Sequence, residues 1–123
     1  MSIRPDYDHP QRPRTAQPPP LPVPDGRPVH DLVIDDLAAR SKWHAVEVIY
    51  ERRQFGLRKY ATPLQVGNGR DPICDAVEEI ADAAVYLRQA VAEDRPGAWL
   101  YTDALVLLET LCRFLPAPEA TDA

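Results

Sequence analysis

Apolar residues recur at helical spacing along most of this chain, and no stretch of useful length alternates at spacing two. The clearest run is Asp71–Asp94. Ile73, Val77, Ile80, Ala84, Leu87 and Val91 recur at steps of four and three, and at about 100° per residue they form one narrow stripe. Asp71 is a good N-cap, and Pro72 falls at the first helical position, where a missing N–H costs nothing. Arg95-Pro96-Gly97 breaks the helix. Upstream, Ser41–Phe55 predicts a second helix with Ser41 as N-cap and Gly56 as its stop. Trp43, Val46 and Tyr50 share one of its faces; His44, Glu47, Val48, Glu51 and Phe55 share another. Val29–Ala39, carrying Leu32, Val33, Ile34 and Leu37, reads as a short leading helix or an extended lead-in.

Ala98–Leu115 predicts the last helix, and Pro116 and Pro118 end it. It is apolar nearly all round, so two neighbours in a small domain cannot cover it, and packing across a subunit interface is expected. The predicted fold is therefore all-α, a small helical bundle completed by dimerisation.

Composition divides the chain. Nine of its 14 prolines lie in residues 1–28, so that segment is expected to be a disordered, Pro-rich tail. Pro18-Pro19-Pro20-Leu21-Pro22 suits polyproline II, as a flexible tail or as a PxxP ligand for a partner. The folded domain is expected over 29–115, with a second tail over 116–123. A net charge of −5 argues against a protein that grips nucleic-acid backbones, which needs a basic surface. Cys74 and Cys112 are too few for a disulfide scaffold and read as free thiols of a cytoplasmic protein. The start, MSIRPDYDHP, has no apolar core of a signal peptide, and no apolar run is long enough to span a membrane. Internal repeats, GxGxxG, Walker A and nucleophile-elbow motifs are absent from the sequence.

Candidate chemistry sits opposite the apolar stripe of Asp71–Asp94. Asp75, Glu79, Asp82 and Tyr86 recur there, with Glu78 beside them. Asp75/Glu79 and Glu78/Asp82 are like-charge i,i+4 pairs, each costing roughly 0.2–0.5 kcal/mol on a bare helix. A solvated acidic face explains this, and so does a bound cation: a hard ion such as Mg²⁺ turns the repulsion into coordination. Ala76, Ala83 and Ala90 flank the stripe, so another helix can approach it closely. Leu57–Arg70, punctuated by Pro63, Gly67 and Gly69, predicts a long loop, and such loops are usually functional or disordered. It carries Arg58, Lys59, Tyr60, Gln65, Asn68 and Arg70, residue types that hold phosphate, sugar and base. An irregular connection whose cations pair with Asp71 and Asp75 is the other reading. His30-Asp31 is an HD pair, but HD metal chemistry needs further ligating histidines, and only His44 and His9 remain.

Glu79-Ile80-Ala81-Asp82 followed by Ala-Ala-Val-Tyr-Leu resembles the second metal-binding motif, ExxD, of the MazG-like all-α nucleoside triphosphate pyrophosphohydrolases. Lys59–Gln65 (KYATPLQ) and Asn68–Asp71 (NGRD) resemble segments of small phage and actinobacterial proteins placed near that family. The resemblance spans Val46–Glu93. It implies cleavage of a (d)NTP to (d)NMP and pyrophosphate, with Glu79 and Asp82 holding Mg²⁺ or Mn²⁺. Glu47 and Glu51 are further metal candidates, although the family's first helix has ExxE and this one has ExxxE, with Tyr50 between. Glu78 or Asp75 is the expected proton acceptor, and Arg58, Lys59, Tyr60, Asn68 and Arg70 the expected substrate contacts. The alternative is a non-catalytic helical dimer acting as a protein-interaction module.

Overall fold

The computed structural model describes residues 17–116. Over these residues the chain is all-helical, in the order α1 (Val29–Ala39), α2 (Trp43–Tyr60), α3 (Pro72–Ala92) and α4 (Leu100–Cys112). It divides into two compact units, residues 17–70 and residues 71–116. α1 packs on α2 in the first, and α3 packs on α4 in the second.

In the first unit, α1 and α2 are joined by Arg40–Lys42. Ser41 was expected to cap α2, but it closes α1 instead. Its φ of 56° is left-handed. Ser41 N–H donates to Ala38 O at 2.9 Å and Lys42 N–H to Leu37 O at 2.9 Å, so the last carbonyls of α1 are satisfied by a Schellman-type turn. Arg53 Nε donates to Asp31 Oδ1 at 2.8 Å, tying α2 to α1. Asp31 is half open to water, so this pair contributes at most about 1 kcal/mol.

Gly56 does not end α2, which runs on to Tyr60. Nothing lies within 4 Å of a Cβ built on Gly56, and its conformation is helical, so it is only a weak point inside the helix. The actual stop is Ala61, left-handed at φ 56°, followed by Thr62-Pro63. The predicted Leu57–Arg70 loop therefore shrinks to the residues after Tyr60.

That shorter loop is not loose. Residues 17–28, within the segment expected to be disordered, are held against it. Pro28 and Gln65 form an isolated antiparallel bridge. Val29 N–H donates to Leu64 O at 2.8 Å and Val66 N–H to Arg27 O at 3.0 Å. Leu21 N–H donates to Asn68 O at 3.1 Å. Residues 1–16 of the predicted tail, and 117–123 at the other end, lie outside the described residues.

In the second unit, α3 begins as expected. Asp71 Oδ1 accepts from Ile73 N–H at 2.9 Å and Cys74 N–H at 3.4 Å, and Pro72 opens the helix. Asp94, left-handed at φ 52°, ends it. α4 is shorter than predicted at both ends. Ala84 on α3 and Ala104 on α4 are the only buried apolar residues among those described. No large side chain there is fully buried. Trp43 is 61% exposed and Trp99 72%, and Leu100, Leu105 and Leu107 keep 37–45% of their surface open. None of the described helices is long and apolar enough to cross a membrane.

Candidate functional site

α3 delivers the acidic face that its periodicity predicts. Glu78, Glu79 and Asp82 are exposed, while Ile73, Val77, Ile80 and Leu87 turn partly inward and Ala84 is buried. Tyr86, 69% exposed, extends the face. Glu79 and Asp82 stand one turn apart and take no hydrogen bond or ion pair among the described residues; the same holds for Glu78. Arg88, further along the same helix, is exposed, and Arg95 pairs with Glu93 at 3.5 Å, beyond the end of the helix. Asp75 lies nearer the N-terminus, is only half exposed and has partners of its own.

Two exposed, unneutralised carboxylates at i,i+3 suit a hard cation. Mg²⁺ is commonly held by one or two carboxylates, with waters and substrate phosphates filling the other positions. The donor set is oxygen only, which also fits Mn²⁺. Among the described residues no group of three or more acidic, His or Cys side chains is gathered as a metal site.

On α2, Glu47 and Glu51 are exposed and one turn apart. Arg52 and Arg53 do not balance them. Arg52 lies over the Phe55 ring at 4.5 Å, and Arg53 serves Asp31 and Gln54. The pair is open, but its i,i+4 spacing departs from the ExxE pattern.

The expected substrate contacts fall into two groups. Arg58, Lys59 and Tyr60 are exposed on the last turn of α2, with Lys59 Nζ 5.2 Å from the centre of the Tyr60 ring. Asn68 and Arg70 are engaged in the fold. Asn68 is 8% exposed, the only buried polar residue among those described. Its Oδ1 accepts from Arg70 N–H at 3.0 Å. The Arg70 guanidinium donates to Pro18 O at 2.6 Å.

Gln65 is the residue whose role sequence reasoning missed. Its Oε1 accepts from Val23 N–H at 2.8 Å, and its Nε2 donates to Val23 O at 2.8 Å and Gly26 O at 3.0 Å. The side-chain amide thus grips a turn, Val23–Gly26, closed by Gly26 N–H to Val23 O at 2.9 Å. The Val-Pro-Asp-Gly run is a turn signal that reveals half of this contact in advance. Its partner in the loop, distant in sequence, has no local signature.

The HD pair is drawn into the α1–α2 packing. Asp31 serves Arg53, and His30 Nδ1 is buried without a hydrogen-bond partner. Burial, aided by the nearby Arg53 and Arg52 charges against the opposing pull of Asp31, lowers the His30 pKa below its ordinary 6.5.

An open apolar groove of about 760 Å³ lies at the α1–α2 end of the first unit, lined by Leu37, Trp43, Val48 and Ile49 among others. None of the candidate site residues lines it. Compared with models of known families, with curated proteins and with solved structures, the chain shows no match.

Proposed function

We propose that the protein is a Mg²⁺-dependent nucleotide pyrophosphohydrolase, cytoplasmic, cleaving a (d)NTP to (d)NMP and pyrophosphate. The observation that carries this reading is the uncompensated Glu79–Asp82 pair, held one turn apart on a well-capped helix. The MazG-like character of the same run supports it. Bound there, Mg²⁺ would screen the phosphate charge and acidify the attacking water. Glu78, exposed beside the pair, accepts the proton as water adds to the α-phosphorus and the bond to the β-phosphate oxygen breaks.

A single variant tests the reading. Asp82→Asn keeps the shape and removes one charge of the Glu78/Asp82 repulsion. Pyrophosphate release from a (d)NTP panel with Mg²⁺ should collapse, while the metal-free fold gains roughly 0.2–0.5 kcal/mol. Activity that survives the change removes α3 from the mechanism.

A second reading is a non-catalytic helical module that binds a second copy or a protein partner. It is favoured by the open apolar residues of the second unit, Val85, Trp99, Val106 and Phe114, each more than half exposed. Wild-type protein that releases pyrophosphate from no nucleotide would select it.

A further inference from the structure

The Pro-rich segment is tied to the loop after α2 by non-local hydrogen bonds, and the Gln65 side chain makes three of them. Gln65 pairs with Val23 much as a strand backbone would, giving and receiving one hydrogen bond, and adds a third to Gly26 O. The main chain on both sides of Gln65 is bridged to the same stretch of chain, Val66 N–H to Arg27 O in the segment and Leu64 O to Val29 N–H at the start of α1. The fit is close. A Cβ on Gly26 would stand 2.7 Å from Val23 Cβ and 3.0 Å from Gln65 Nε2, so only glycine lets the turn reach the amide.

The consequence runs through the segment to Arg70. Pro18, five residues before Val23, supplies the carbonyl that receives the Arg70 guanidinium at 2.6 Å. Leu21, between them, is tied to Asn68 O, and Asn68 Oδ1 holds Arg70 N–H at 3.0 Å. The Arg70 guanidinium thus takes one of its contacts from a carbonyl whose place depends on the segment staying down.

We propose that Gln65 is a positioning residue: by latching residues 17–28 onto the loop after α2, it holds the Arg70 guanidinium in place for an anionic ligand. This rests on the reading of Arg70 as a phosphate contact. A guanidinium has five N–H donors, so Arg70 can keep the Pro18 carbonyl as its anchor while another donor meets a phosphate oxygen.

The test combines a double-mutant cycle with amide exchange. Gln65→Ala should raise the nucleotide KM about fivefold with little change in kcat, the signature of lost binding common to ground and transition states. In an Arg70→Ala background the same change should add nothing, because Gln65 acts through Arg70. Additive effects would overturn the proposal. Val23 N–H exchange should accelerate in Gln65→Ala. In Gln65→Glu its protection, taken relative to the unstructured peptide rate at the same pH, should be low at neutral pH, where the carboxylate faces two carbonyl oxygens, and should recover in acid. There the introduced carboxyl, its pKa raised by facing two carbonyl oxygens, regains a donor. Exchange at Val23 that ignores both substitutions would also overturn it. If wild-type protein turns over no nucleotide, the pyrophosphohydrolase reading falls. Arg70 placement is then read from its Nε–H resonance, which must move in Gln65→Ala; an unmoved signal rejects the proposal.

Discussion

Ala61 holds a φ of 56°, where an L side chain crowds its own backbone and glycine does not. Ala61→Gly should therefore stabilise the protein by roughly 0.5–1 kcal/mol, after allowing for the extra freedom glycine brings to the unfolded chain. Five residues earlier the opposite change is favourable. Gly56 is helical, with open space around its missing Cβ, and Gly56→Ala should add about 1 kcal/mol. Urea melts of the two variants check both signs. His30 makes a prediction in pH. Its folded pKa lies below 6.5, so the unfolded chain binds the extra proton more readily. Stability is then highest above the unfolded value and falls as pH drops through the folded one. Melting temperature should decline on acidification from pH 6.5, and His30→Gln should flatten that decline. An identical slope in the variant would assign it to other groups.

At the scale of elements, α3 is legible because local signals agree: helical periodicity, a capping Asp71 followed by Pro72, and a break at Arg95-Pro96-Gly97; α1 has the expected bounds, but its sequence also allows an extended lead-in. α2 is misread at both ends because Ser41 and Gly56 each fit more than one role. Ser41 is a fair N-cap by type, yet the left-handed turn that closes α1 claims it. Gly56 can end a helix, yet the stop comes where Thr62-Pro63 leaves the chain no helical continuation. The acidic stripe of the candidate site is legible for the same reason as α3 itself, since spacing alone puts Glu79 and Asp82 on one side. Asn68 and Gln65 are not, because their partners Leu21, Val23 and Gly26 lie far away in sequence and composition marks that segment as a tail. The docked segment changes what truncation should do. Relative to a deletion ending at Ala16, a deletion ending at Gly26 should lose on the order of 2 kcal/mol. Hydrogen bonds to Gln65, Asn68 and Arg70 disappear, partly offset by the freed chain entropy. Equal thermal melts for the two deletions would show that the latch adds nothing to stability.

For the whole molecule, each unit is a pair of helices, and a pair buries one face of each partner. Only two alanines are buried apolar residues among those described, which is too little for an isolated chain of this size to be well stabilised. Self-association is the expected remedy. Leu107→Glu probes it better than a change at the half-buried Leu108, because Leu107 is 45% exposed and a charge there disturbs the single chain least. Wild-type protein should sediment as a dimer or larger at micromolar concentration, and the variant as a monomer. A monomeric wild type would refute the expectation. The two exposed tryptophans give this equilibrium an optical handle. An indole in water emits to the red of one in an apolar contact, so a lone chain should fluoresce almost like free tryptophan and hardly shift on unfolding. Emission that moves to the blue as protein is concentrated would mean that Trp43 or Trp99 has lost its water to a neighbouring copy. Single Trp→Phe variants would tell which indole reports the contact.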